Sequence, residues 1–101
     1  TLSLAEIPLL PGAAALAALG VASTLAPANR AALIGRIAAP TTPEAALLFD
    51  PQTAGGLLAS VPAAQAAACV QALQAAGYTH TAVIGCITAQ GEAIEPVLLK
   101  T

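Results

Sequence analysis

The sequence predicts an α+β fold, a mainly antiparallel sheet with helices packed on one side. Three observations point there. From Pro62 to Ala76, the residues Ala66, Cys69, Val70 and Leu73 fall at i, i+3, i+4 and i+7, one face of a helix. Thr81 to Thr88 is rich in β-branched residues and reads as a strand. Gln90-Gly91-Glu92 then makes a turn into a last strand, Ala93 to Lys100, close enough for an antiparallel hairpin. The resulting order is strand (Leu57 to Val61), helix, strand, strand.

The N-terminal half is justified element by element. Thr1 to Glu6 alternates Leu2 and Leu4 with Ser3 and Ala5, the period of a short strand, and Pro8 and Pro11 end it. Gly12 to Leu19 is helical by composition, with Leu16 and Leu19 one turn apart and Gly20 as the stop. Val21 to Pro27 is a loop with some strand character. Asn29 to Ala38 sets Leu33, Ile34 and Ile37 against Arg30 and Arg36 at helical spacing, although Gly35 interrupts it. Thr42-Pro43-Glu44 is a helix start, since Thr can cap and Pro suits the first helical position. Gly77 closes the long helix.

Composition limits the functions available. At 101 residues there is room for one small domain. Hydrophobic residues reach 57%, yet much of this is Ala, which buries little area per side chain. Charged residues are only 8%, against roughly 25% in typical soluble domains. The net charge of −2 and three scattered basic residues leave no footprint for nucleic acid or an anionic membrane surface. Gly12 to Ala26 is too short and too interrupted to span a bilayer, and no basic n-region precedes it. The expectation is a soluble, cytoplasmic chain. Cys69 and Cys86 are too few for a disulfide framework and read as structural thiols. His80 reads as a surface or half-buried histidine, because one His and distant thiols do not make a metal site.

The stretch that carries chemistry is Leu48 to Leu58. It holds the chain's only Phe, only Asp and only Gly-Gly pair. Gly55 and Gly56 can take positive φ or admit another backbone, and successive N–H groups there can form an anion-binding nest. Asp50, Gln52 and Thr53 add side-chain oxygens and an amide. The alternative is a tight lead-in to a strand, with Asp50 bonding its own turn. No Lys follows the glycines, so this is no Walker-type loop.

Leu48 to Leu58 resembles the LFDPQTSGGLL signature of the selenophosphate synthetases (selenide, water dikinases), with Ala54 where Ser is usual. Ile7 to Gly12 resembles the family's IPLLPG. Pro27 to Arg30 resembles its T-P-x-N-R region. Ala82 to Gly85 resembles its A-x-I-G-E-V strand, with Cys86 in place of Glu. The resemblance implies that residues 1–101 are a single partial domain, the later part of an aminoimidazole-ribonucleotide-synthetase-like C-terminal domain. In such enzymes a TGFGLLGHL-like helix and an ATP-binding N-terminal domain precede the position of Thr1. That N-terminal domain is the partner the resemblance implies; the low charge separately points to a homo-oligomer, and no nucleic-acid or membrane partner is expected.

By the same resemblance the intact enzyme uses ATP and Mg to turn selenide and water into selenophosphate, releasing AMP and phosphate. Its catalytic Cys or selenocysteine and adjacent Lys belong to the N-terminal region, and neither role passes to Cys69 or Cys86. The expected cofactor-binding residues here are Asp50, Gln52, Thr53, Gly55 and Gly56, with no catalytic or metal-binding residue. A non-catalytic interaction or dimerisation module is the alternative, to which Ala54 and Cys86 lend support as departures from the family pattern. Another ATP-dependent member of the superfamily is a third reading.

Overall fold

The computed structural model describes residues 1–92 and 94–101. In chain order the elements are β1 (Leu2–Ser3), a 3-10 turn (Leu4–Glu6), α1 (Ala13–Ala18), α2 (Ala26–Ala32), β2 (Ile37–Ala38), α3 (Pro43–Leu47), α4 (Ala63–Ala75) and β3 (Val97–Lys100). The α+β class holds. The sheet, however, is parallel, which corrects the antiparallel expectation. Strand β3 lies between the other two, pairing Leu99 with Leu2 and Lys100 with Ser3 on one edge. On its other edge Val97 pairs with Ile37 and Leu98 with Ala38. With both edges of β3 taken by strands from the N-terminal half, the run before it has no edge left for a hairpin.

Residues 81–88 accordingly form no strand. They contribute a single antiparallel bridge, Gly85 to Leu2, on the free edge of β1. Thr1 and Cys86 exchange backbone hydrogen bonds, each at 2.9 Å, and the Ser3 N–H donates to the Ile84 carbonyl at 2.8 Å. The pairing stops because β1 stops. Leu4 turns into the 3-10 segment, where the Ile7 N–H returns to the Leu4 carbonyl, so Thr1 to Glu6 is not one strand. Leu57 to Val61 is also not a strand: no strand among the described residues lies beside it, and Leu57 is 101% exposed. Of the last expected strand, Val97 to Lys100 is present, and residue 93 lies outside the described residues.

The helices follow their sequence signals more closely. Both α1 and α4 end in the same glycine-dependent motif. Gly20 has φ 78° and Gly77 φ 100°, a left-handed conformation that costs glycine nothing. The Gly20 N–H bonds the Ala17 carbonyl while the Val21 N–H bonds the Leu16 carbonyl, both at 3.0 Å. Gly77 to Gln74 and Tyr78 to Leu73 repeat this at α4, again at 3.0 Å. Of the face expected of α4, Ala66, Cys69 and Val70 are half-buried, but Leu73 is exposed and no α4 residue is fully buried. The segment from Asn29 to Ala38 is corrected. Its helix starts earlier, at Ala26, with Pro27 in the first turn where its missing N–H is not needed. It ends at Ala32, and Ile37–Ala38 is drawn into the sheet beside β3, the Val97 N–H bonding the Arg36 carbonyl at 3.1 Å.

The core is small. Leu4, Ala45 and Phe49 are the buried hydrophobic residues described. Helix α1 packs on α3, with Ala45 of α3 fully buried. The accessible surface is 7549 Å², where a folded monomer of this mass exposes about 5,200 Å². The radius of gyration, 14.7 Å, is larger than the ~13 Å of a compact domain of this length.

Candidate functional site

The Leu48 to Leu58 stretch is launched by α3. Thr42 caps that helix, its Oγ1 accepting from the Ala45 N–H at 3.3 Å, and Pro43 opens it. The end of α3 tightens through three successive short-range bonds. Leu48 N–H reaches the Ala45 carbonyl, Phe49 N–H the Ala46 carbonyl and Asp50 N–H the Leu47 carbonyl, at 3.3, 3.1 and 3.2 Å. Pro51 follows, and having no N–H it cannot extend this ladder.

Two side chains from α2 grip the start of the loop. The Asn29 amide Nδ2 donates to the Phe49 carbonyl at 2.9 Å. The Arg30 guanidinium sits 5.1 Å from the centroid of the Phe49 ring, within cation–π range. Arg30 also donates to the Ala39 carbonyl at 3.5 Å. Phe49 is thereby buried to 5% exposure, while the next residue, Asp50, is exposed. An open cavity of about 260 Å³ adjoins this contact, with Arg30, Ile37, Phe49 and Glu95 in its wall.

Asp50, Gln52, Thr53, Gly55 and Gly56 are all exposed and lie together on this one loop. The positive-φ reading of the glycines is corrected: neither Gly55 nor Gly56 has positive φ, so the backbone forms no left-handed nest there. Gly55 instead makes room for a side chain. A Cβ placed on it would lie 2.9 Å from Oε1 of Gln52, whose amide folds across the glycine. Gly56 has nothing within 4 Å of such a Cβ. Cys86 is exposed and Cys69 half-buried, and His80 is exposed. Among the described residues no group of three or more His, Cys, Asp or Glu is placed to hold a metal ion. No helix among them is long and apolar enough to cross a membrane.

The sequence singles out the loop, while its support from α2 is seen only in the structure. Asn29 and Arg30 lie on α2, and nothing in local spacing links them to Phe49. The only signal was that Pro27 to Arg30 and Leu48 to Leu58 both carry the family resemblance; the structure brings these two motifs into contact.

A small parallel sheet and short helices thus carry one exposed loop of acidic, amide and glycine residues, a candidate ligand-binding edge. The chain is 42% identical over 100 residues to a protein of Myxococcus xanthus (strain DK1622) named "Selenide, water dikinase", a similarity that covers 96% of the chain. The chain spans 28% of that relative's length. No family model matches the chain, and no solved structure does.

Proposed function

We propose that the chain is the C-terminal part of a selenophosphate synthetase, an enzyme that makes selenophosphate from ATP, selenide and water and releases AMP and phosphate. The observation that carries this reading is similarity along nearly the whole chain to a protein of that name, over only 28% of its length. In this reading the remaining length supplies the ATP-binding domain and the reactive Cys or selenocysteine. The present chain supplies the Asp50 to Gly56 loop at the edge of the cleft. The Gln52 amide and the Thr53 hydroxyl offer hydrogen bonds to polyphosphate oxygens. Asp50 offers a carboxylate, which suits a donor rather than a bare phosphate. ATP and Mg are the cofactors of the intact enzyme in this reading. The described residues do not fit a resident magnesium site, because Asp50 is a single exposed carboxylate with no ligand cluster around it.

The test is selenide-dependent AMP formation, measured on the full-length protein that contains this segment and on the 101-residue chain alone. The full-length protein is expected to turn over and the isolated chain to be inactive. AMP formation by the isolated chain would overturn the division of labour. A folded full-length protein that binds its partners yet makes no AMP would favour the non-catalytic module, the reading that Ala54 and Cys86 support.

A further inference from the structure

We propose that Asn29 and Arg30 are positioning residues for the Asp50 to Gly56 loop, acting on Asp50 through the Phe49–Asp50 peptide. The inference rests on the functional reading of that loop and adds the device that aims it. The carbonyl that Asn29 holds at 2.9 Å belongs to the same planar unit as the Asp50 N–H. Fixing the oxygen therefore fixes the plane from which the Asp50 backbone departs. The other side of that unit is fixed as well, since the Asp50 N–H bonds the Leu47 carbonyl at 3.2 Å. The Arg30 guanidinium over the Phe49 ring stops that ring from rolling out of its buried site. Asp50 itself is exposed, so its own side chain is not what anchors it. An exposed carboxylate on a loop holds a fixed direction only if the backbone behind it is held, and α2 provides the holding groups. The two motifs lie 20 residues apart in sequence, so the contact belongs to the tertiary fold rather than to a local turn.

The experiment is a double-mutant cycle in the full-length protein, with selenide-dependent AMP formation and thermal midpoint read on the same preparations. Asn29→Asp replaces the donor with a carboxylate that faces the Phe49 carbonyl and cannot bond it. The expected result is a roughly tenfold loss of kcat per folded molecule with little change in KM for ATP. In the Asn29→Asp background, Asp50→Asn should cause no further loss, because an Asp50 that is no longer aimed has nothing left to lose. Arg30→Lys, which keeps the charge but loses the guanidinium that reaches both the Phe49 ring and the Ala39 carbonyl, should show a smaller loss with the same non-additivity. If Asn29→Asp does not fold, Asn29→Ala removes the donor without adding charge and is judged by the same criteria. An impaired Asp50→Asn beside an unimpaired Asn29→Asp, or losses that simply multiply, would overturn the positioning role alone. Full turnover in Asp50→Asn would overturn the loop reading and the positioning role with it.

Discussion

At the residue scale, Gly55 and Gln52 act as a pair. The Gln52 amide lies where a Gly55 side chain would be, and Gln52 is the flexible partner of the two. Gly55→Ala should therefore displace the amide and leave the backbone unstrained, with a stability change within about 0.5 kcal/mol. If the amide touches substrate in the intact enzyme, turnover falls in Gly55→Ala and in Gln52→Ala alike, while Gly56→Ala, with open space around it, serves as the comparison. Equal, full turnover in all three would remove Gln52 from the site. Asp50→Asn separates two roles in the same way. Because Asp50 is exposed, the substitution should hardly move the melting midpoint, yet losing a charge-assisted hydrogen bond to a ligand costs roughly 1.5–3 kcal/mol. A lowered midpoint with unchanged turnover would mark the carboxylate as part of the turn only. Ala54→Ser, at an exposed position, should be neutral in both measurements.

At the element scale, legibility followed the range of the interaction. The cap at Thr42 and the glycine stops at Gly20 and Gly77 are set within a few residues, and all three stand as read. The strands are set by distant partners, and there the reading failed. Nothing between Thr81 and Thr88 says that β3 will be flanked by Leu2 and Ile37, or that its own run will be limited to one bridge at Gly85. The candidate loop was legible because its residue types are unusual for this chain, while its clamp at Asn29 and Arg30 was not, because it is a contact across the fold. Gly85 gives the sharpest test of the observed pairing. A Cβ there would fall on the Thr1 carbonyl oxygen and within 2.9 Å of the Leu2 Cα, both backbone atoms that cannot step aside. Gly85→Val should cost about 1–3 kcal/mol through overpacking. In a domain of this size that lowers the melting midpoint by about 4–8 °C for each kcal/mol. Gly91→Ala, with nothing near, should leave it in place. Equal midpoints for the two variants would mean that residues 84–86 do not lie against β1.

At the scale of the molecule, surface decides. The chain exposes 7549 Å², about 2,300 Å² more than the scaling for a monomer of its mass allows. That excess has the size of a large protein–protein interface counted on one side. It is also apolar: Leu10, Leu19, Ile34, Leu58, Ile87 and Ile94 all stand more than two-thirds exposed. With 8% charged residues there is little to keep such a surface in water. The isolated chain should therefore self-associate, and should bind an apolar dye more strongly than the full-length protein does. Sedimentation velocity at tens of micromolar, with dye titration alongside, measures both. If the excess is the seat of the remaining length of the enzyme, the full-length protein will hide it and the dye signal will fall to that of an ordinary globular protein. Were the full-length protein to bind dye as strongly as the segment does, the surface would be facing something other than its own chain. A clean monomer without dye binding would show that the segment closes on itself, and would remove the excess area as an argument for a covering partner.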